Sequence, residues 1–275
     1  MPSKSRGAVR SEGTQAGGTR KRPAALQAPA PKQRRSAPTS GDVGARLSDA
    51  LAALERLASQ KTRDGMARYA IPADKALGVA VGDLRRLAKS IGRDPALAAA
   101  LWETDVYEAR MLACFVDDSE AVTPAQMKRW ASGFDSWAIC DTACFHLFDR
   151  TAQAFEMVDF WAGRKPEFER RAAFALLASL AGHDRTAADA AFSRRLPLIE
   201  RAATDDRNFV KKGVSWALRG VGRRSPDLHA ACVALAERLA ASPAAAARWV
   251  GKDALRDLTK PAVLKRLQAK RARSR

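Results

Sequence analysis

The sequence has few of the residue types that enzymes commonly use as nucleophiles or metal ligands. There are four cysteines and three histidines in 275 residues, too few for a disulfide framework in a chain of this length. Cys140 and Cys144 are separated by three residues, which is not the C-x-x-C spacing of a zinc or redox site. The histidines are scattered at positions 146, 183 and 229. We therefore predict no metal and no cofactor, and buried reduced thiols in a cytoplasmic protein.

Long apolar runs and alternating patterns are also lacking. No stretch approaches the roughly 18 consecutive apolar residues of a membrane span, so we expect no membrane association. No alternation of apolar and polar residues is long enough to predict a strand. The chain is rich in Ala and has only two Tyr, a composition that favours helix.

Acidic residues are outnumbered by 48 Lys and Arg to 30 Asp and Glu, which gives a net charge of +18. Most of the excess is terminal: residues 1–41 carry +8 and residues 260–275 carry +7, which leaves +3 for residues 42–259. We therefore predict a basic arm (1–41), a folded domain (42–259) and a basic tail (260–275). The charge supports a polyanionic partner without identifying it.

The arm is rich in Pro, Gly, Ser, Thr and Ala and has almost no large apolar residue. It cannot bury enough surface to offset the entropy of ordering, so it is predicted to be disordered. It lacks the apolar core of a secretory signal. A non-specific DNA tether is the favoured interpretation, with an organellar transit peptide or a nuclear signal as alternatives.

From about Val43 the apolar residues recur with helical periodicity. Helices of about 10–17 residues joined by short loops recur in pairs about every 35–45 residues, which is the spacing of HEAT-type repeats. We predict an all-α fold in which HEAT-like helical hairpins stack into a curved solenoid with a concave groove. A compact helical bundle is the competing architecture.

One predicted helix, residues 135–149, reads DSWAICDTACFHLFD. Asp135 is expected to cap its start. Trp137 and Asp141 are four residues apart, so indole and carboxylate share a face, and this arrangement suits the stabilisation of a cation. Ile139, Phe145 and Phe148 are predicted to form the opposite, buried side. The alternative is an ordinary core Trp beside a solvated Asp.

Two later predicted helices add basic residues. Arg170 and Arg171 lie beside the buried stripe of the helix 166–181, where they could simply be solvated. In the helix 207–222, Trp216 lies between the apolar and basic faces, which suits phosphate contact combined with stacking. A Trp at the edge of the core is the alternative. The basic residues around it are Lys211, Lys212, Arg219, Arg223 and Arg224.

Several blocks between about Met66 and Leu258 carry a family resemblance. They read MARYAI, ALGV, DLRRLAK, LWETDVYEARMLA, FDSWAICD, RRAAFALLASLA, DDRNFVKKGVSWALRGVG and ARWVGKDALRDL. In these blocks the sequence resembles the AlkD-like DNA alkylation repair proteins, monofunctional DNA glycosylases of HEAT-like repeat fold. The arm and the basic tail are outside the resemblance.

The resemblance implies a catalytic cleft formed by Trp137, Asp141, Arg171 and Trp216. The choice of Arg171 over Arg170 depends on the Ala-Ala-Phe that follows it. The resemblance also implies a monomeric hydrolase that removes N3- and N7-alkylated purines from double-stranded DNA without flipping the base. Weaker candidates for phosphate contacts are Lys211, Lys212, Arg219 and Lys252. Two other hypotheses stay open: a non-catalytic binder of damaged or branched DNA, and a helical-repeat adaptor for protein partners.

Overall fold

The computed structural model of the chain describes residues 40–273. Almost all of the predicted arm, residues 1–41, and the last two residues of the tail lie outside the described residues. The chain divides into two units, Met1–Ala37 and Pro38–Arg275, and every described residue belongs to the second. Residues 40–273 form fifteen α-helices and two 3-10 helices, with no strand among them. No helix in this range is long and apolar enough to cross a bilayer.

The α-helices are numbered in chain order. Their bounds are α1 Ser40–Arg56, α2 Gln60–Gly65, α3 Val81–Ile91, α4 Pro95–Glu103, α5 Tyr107–Val116, α6 Pro124–Ser132, α7 Trp137–His146, α8 Ala154–Ala162, α9 Glu167–His183, α10 Asp189–Ser193, α11 Leu196–Ala202, α12 Asn208–Gly222, α13 Pro226–Ala240, α14 Ala245–Leu258 and α15 Pro261–Arg273. The 3-10 helices are Met66–Tyr69 and Phe148–Arg150.

Six helices form a continuous row, here called the site row. In it α3 packs on α5, α5 on α7, α7 on α9, α9 on α12, and α12 on α14. Outer helices cover the row: α4 packs on α5, α8 on α9, α11 on α12 and α13 on α14. This row of helices with its outer layer agrees with the predicted all-α stack of helical hairpins.

Capping residues fix several helix starts. The carboxylate of Asp94 accepts a hydrogen bond from the N–H of Leu97 at 3.0 Å, and a Pro occupies the first position of α4. The predicted cap at Asp135 is wrong. The N-cap of α7 is Ser136, without a side-chain hydrogen bond to the helix, and Asp135, one residue earlier, is exposed.

The core contains three of the six tryptophans. The indoles of Trp102 and Trp130 are stacked with 4.2 Å between ring centroids, and Phe148 lies between Trp130 and Trp161. All four side chains are buried. The other three indoles, on the site row, are partly exposed: Trp137, Trp216 and Trp249.

Small residues bring α12 close to α9. A Cβ atom on Gly213 would lie 3.6 Å from the carbonyl oxygen of Arg171, and one on Gly220 would lie 3.4 Å from the Cα of Ala178. The two glycines are seven residues apart and so share one face of α12. Because the helices approach closely, Trp216 on α12 comes near the residues of α7 across α9.

A buried carboxylate holds the loop between the first 3-10 helix and α3. Glu108 accepts hydrogen bonds from the N–H groups of Leu77, Gly78 and Val79 at 2.8, 2.7 and 3.1 Å. Gly78 has a φ of +85°, a conformation that favours glycine. This loop therefore has a fixed course beside the site row.

Candidate active site

Three side chains of α7 share one face of the helix. Trp137, Asp141 and Phe145 follow at intervals of four residues, and all three are partly exposed. The ring of Phe145 stacks on Trp216 of α12 with 4.6 Å between centroids. The prediction that Phe145 lies on the opposite, buried side is wrong, because the four-residue interval places it on the face of Asp141. Ile139 and Phe148 are buried, as predicted.

Asp141 and Arg171 form a bidentate ion pair across α7 and α9. Arg171 Nε donates to Asp141 Oδ1 at 2.8 Å and Nη2 donates to Oδ2 at 2.7 Å. A third N–H, on Nη1, donates to the carbonyl oxygen of Phe209 at 2.7 Å. Arg171 is 5% exposed. The neighbouring Arg170 points elsewhere and pairs with Asp205 at 2.9 Å.

Burial and pairing act in opposite directions on the Asp141 carboxyl. Burial raises its pKa, whereas the charge and hydrogen bonds of Arg171 lower it, and the pKa remains above the ordinary value. For Arg171, burial lowers the pKa, but Asp141 more than offsets this, so the pKa is raised and the guanidinium stays protonated. The protonated guanidinium of Arg171 thus orients the Asp141 carboxyl. The carboxyl oxygens keep two lone pairs that do not bind Arg171 and can accept hydrogen bonds from another group.

The indole of Trp137 is fixed from outside its own helix. Its Nε1–H donates to the carbonyl oxygen of Tyr69 at 2.7 Å, at the end of the 3-10 helix Met66–Tyr69. The next residue, Ala70, has a φ of +53°, so the backbone turns directly after this carbonyl. The hydrogen bond holds the indole plane in place while leaving part of the ring accessible.

The four residues predicted for the catalytic cleft line one cavity of about 590 Å³. Several other residues around it were not predicted from the sequence. Tyr69 is 62% exposed at its rim; it lies on a single 3-10 turn, where helical periodicity gives no signal, and only its place in the MARYAI block could have indicated it. The remaining lining residues are Arg68, Ala70, Asn208, Phe209 and Lys212.

Of the four weaker candidates for phosphate contacts, only Lys212 lines this cavity, where it is exposed. The ammonium of Lys211 lies 5.1 Å from the ring centroid of Trp249 on α14. Arg219 donates to the carbonyl oxygen of Ser215 and lies 3.6 Å from Asp253. Lys252 is exposed on α14. The last three lie on α12 and α14, beside the cavity rather than in it.

A Ser-His-Asp cluster outside this cavity lacks the geometry of a hydrolytic triad. Ser179 Oγ and His183 Nδ1 both lie 2.6 Å from the same oxygen of Asp149. In a triad the His lies between Ser and Asp, and here Ser179 is fully buried.

The thiols offer no activated nucleophile in the described part of the chain. All four cysteines are free and buried, and burial raises the pKa of Cys232 to about 12. Between residues 40 and 273 no group of three or more His, Cys, Asp or Glu could hold a metal ion. The cavity around Asp141 is therefore the strongest candidate for chemistry among the described residues.

Comparison with known proteins gives the same family as the sequence motifs. The family model described as DNA alkylation repair enzyme matches residues 50–258. The chain belongs to this family. The matched range contains all four residues of the cavity named above, whereas α15 lies beyond it.

A solved structure described as "A new family of proteins related to the HEAT-like repeat DNA glycosylases with affinity for branched DNA structures" is similar to the chain. The TM-score is 0.64 and the identity 21%, over 70% of this chain and 82% of that chain. The predicted HEAT-like repeat fold is thus confirmed. A comparison with curated proteins gives no match.

Proposed function

We propose that the protein is a monofunctional DNA glycosylase that hydrolyses the N-glycosidic bond of N3- and N7-alkylated purines in duplex DNA and leaves an abasic site. The observation that carries the proposal is the carboxyl of Asp141, held bidentately by Arg171 in a cavity that Trp137 and Trp216 also line. Membership of the DNA alkylation repair family supports it.

The chemistry needs few groups. A purine alkylated at N3 or N7 carries a positive charge and leaves as a neutral base, so no general acid is required. As the glycosidic bond breaks, positive charge develops on the sugar. A fixed carboxylate beside that sugar stabilises this charge and positions the attacking water. Each tenfold in rate requires about 1.4 kcal/mol, a scale that one preorganised charge can supply.

The two tryptophans would act on the same charge. An aromatic face attracts a cation by about 0.5–2 kcal/mol, depending on desolvation. Trp137 is held by Tyr69 and Trp216 by Phe145, so both rings are preorganised. These ring contacts require only that the lesion stays stacked in the duplex and that its sugar is accessible. They do not require a deep pocket for the base, which favours hydrolysis without base flipping.

Arg171 has two roles in this proposal. Three of its five N–H groups are used on Asp141 and Phe209, so its main role is to orient the carboxylate. The two remaining N–H groups, one on Nη1 and one on Nη2, are the donors available for a backbone phosphate. Lys could replace the charge but not this fork.

The test is release of 7-methylguanine from methylated duplex DNA. We expect release by the wild-type protein and a fall of at least about tenfold in Asp141→Asn, because the amide keeps the shape of the carboxylate and removes its charge. Asp227→Asn is the matched control, since it removes the same charge at an exposed position of the outer helix α13.

Two outcomes would contradict the proposal in different ways. If Asp141→Asn releases base as fast as Asp227→Asn, Asp141 is not the catalytic group. If the wild-type protein binds methylated duplex but releases no base, the protein is not a glycosylase of this type.

The second candidate is a non-catalytic protein that binds branched DNA. It is favoured by the described affinity of the solved structure that shares the fold. In that case no base would be released, and a four-way junction would be bound more tightly than a duplex of equal length.

We infer for either function that a monomer acts in the cytoplasm. The domain 42–259 would provide the site, and the arm 1–41 and the tail 260–275 would add non-specific affinity.

A further inference from the structure

A second cavity adjoins the candidate active site through a shared wall. It has a volume of about 650 Å³, and Trp216 and Phe145 line the side nearest to the first cavity. The other walls come from the end of α9, the following loop and the start of α10, the end of α12, and α15. Its charged lining residues are one acidic residue, Asp189, and five basic residues: Arg185, Arg223, Arg224, Arg266 and Lys270. We call it the basic pocket.

The helix α15 contributes to the basic pocket because its side chains dock on the preceding helices. Leu267 is 5% exposed on the side of α15 that packs on α13 and α14. Lys270 Nζ donates to the carbonyl oxygens of Arg223 and Arg224 at 3.2 and 2.5 Å, where the end of α12 attracts a cation. Arg266 lies four residues before Lys270 and so shares its face.

The charges of the basic pocket are unequally compensated. Arg224 donates to the carbonyl oxygens of Asp184 and Ala187 and lies 3.4 Å from Asp189, so it is a structural residue. Arg223 pairs with Asp257. Arg185 and Arg266 are exposed and form no ion pair within the described residues.

The surroundings of Lys270 show how concentrated this positive charge is. Burial lowers the pKa of its ammonium, and the nearby Arg266, Arg224 and Arg185 lower it further, whereas Asp189 raises it. A concave site with uncompensated arginines attracts an anion, and guanidinium forks match the oxygens of a phosphate.

We propose that the basic pocket binds phosphodiester groups of the DNA strand that passes Trp216, with Arg185 and Arg266 as the phosphate ligands. The proposal rests on the function proposed above, because it places the strand in the first cavity and continues it past the shared Trp216. Arg266 belongs to α15, beyond the residues that the family model matches. The family match therefore does not by itself predict this contact.

The experiment compares two double variants of the full chain. Arg185→Ala/Arg266→Ala removes the two unpaired charges of the basic pocket. Lys265→Ala/Arg271→Ala removes two charges from exposed positions of α15 that do not line it. The equilibrium dissociation constant for an unmodified duplex is measured by fluorescence anisotropy over a series of salt concentrations.

We expect Arg185→Ala/Arg266→Ala to weaken binding at least about tenfold. The slope of log K against log salt concentration should become shallower by about 2, because each lost phosphate contact removes about 0.9 from it. The control variant should change the slope by less than half as much. Equal effects of the two variants would overturn the proposal, because they would indicate a general charge effect. An unchanged slope in the pocket variant would also overturn it.

The binding experiment can be interpreted separately from the test of the proposed function. Binding to unmodified duplex does not depend on base release, so a wild-type protein without glycosylase activity would refute the proposed function and leave the basic pocket testable. If the Ala variant does not fold, Arg185→Gln/Arg266→Gln keeps most of the side-chain length, and the same slope change is expected.

Discussion

At the scale of the residue, Asp141 is placed between two opposing influences. Its burial favours the neutral acid, and its bidentate pairing with Arg171 favours the carboxylate. In the proposed reaction this carboxylate must be charged, so its raised pKa would make base release sensitive to mild acid. The pH at which the proposed activity is lost would then depend on the packing of α7 against α9.

The rate of base release should therefore fall with decreasing pH in a range above that of an ordinary Asp. The sign follows from the raised pKa, since the proton binds at a higher pH and removes the charge that stabilises the sugar cation. The measurement is the single-turnover rate of 7-methylguanine release as a function of pH. The positive charge of this lesion comes from methylation and not from a bound proton. Asp141→Asn should show a low rate that does not decrease further as the pH falls through this range.

Asp227→Asn is again the control and should keep the wild-type profile. Two results would contradict the assignment of this fall in rate to Asp141. One is a wild-type rate that falls only near the pKa of an ordinary exposed carboxyl, and the other is the same fall with pH in Asp141→Asn.

At the scale of the element, the site row depends on helices that approach closely. Gly251 of α14 faces α13, and a Cβ atom there would overlap the backbone nitrogen of Ala240 and the carbonyl oxygen of Ala236 and lie 2.8 Å from the carbonyl carbon of Leu239. Backbone atoms cannot move aside as a flexible side chain can. Any side chain at this position must separate the two helices.

Gly251→Ala should accordingly lower the free energy of unfolding by about 3 kcal/mol, as overpacking does in well-packed cores. Urea denaturation followed by circular dichroism measures this. Gly44→Ala is the matched control: no atom lies within 4 Å of the added Cβ in the interior of α1, so the better helix propensity of Ala should raise stability by about 1 kcal/mol. Equal effects of the two substitutions would show that the contact between α13 and α14 does not restrict residue size.

The long helices could be predicted closely from periodicity, because they have a buried stripe, whereas the short α2 has no buried residue. The predicted helix 207–222 corresponds to α12, Asn208–Gly222. Short polar signals were less reliable. Asp135 is only one residue from the N-cap of α7, and the periodicity of α7 alone could not show that Phe145 faces Trp216.

The candidate site could be predicted only in part, because its residues meet through contacts between distant segments. The family motifs indicated Trp137, Asp141, Arg171 and Trp216, but not that Arg171 would use its fork on Asp141. Tyr69 acts through a backbone carbonyl, which no side-chain pattern indicates. The basic pocket needs α9, α12 and α15 together, and the sequence does not show that α15 packs beside the ends of the other two helices.

At the scale of the whole molecule, charge is distributed separately from the core. The hydrophobic core of the described residues extends from Ala50 to Leu258, whereas most of the excess positive charge lies in residues 1–41 and 260–275. Stability and non-specific DNA affinity should thus be separable by truncation.

Deletion of residues 1–39 should leave the melting temperature unchanged, because these residues precede the core. The same deletion should weaken non-specific duplex binding and make its salt dependence shallower, since it removes nine Lys and Arg. A full-length chain in which Gln replaces these nine residues is the matched control and should behave like the deletion. A large fall in melting temperature, or an unchanged salt slope, would contradict the tether hypothesis.

The hydrogen bond from Trp137 to the carbonyl of Tyr69 has a consequence for how such a stack of repeats could change over evolution. HEAT-like arrays tolerate the gain or loss of a hairpin where each unit contacts only its neighbours. Here one cavity draws on the segment that ends at Tyr69, on α7, on α9 and on α12. A hairpin inserted or deleted between residues 69 and 216 would move these groups apart while leaving a folded stack. The length of this part of the chain is therefore constrained by the site.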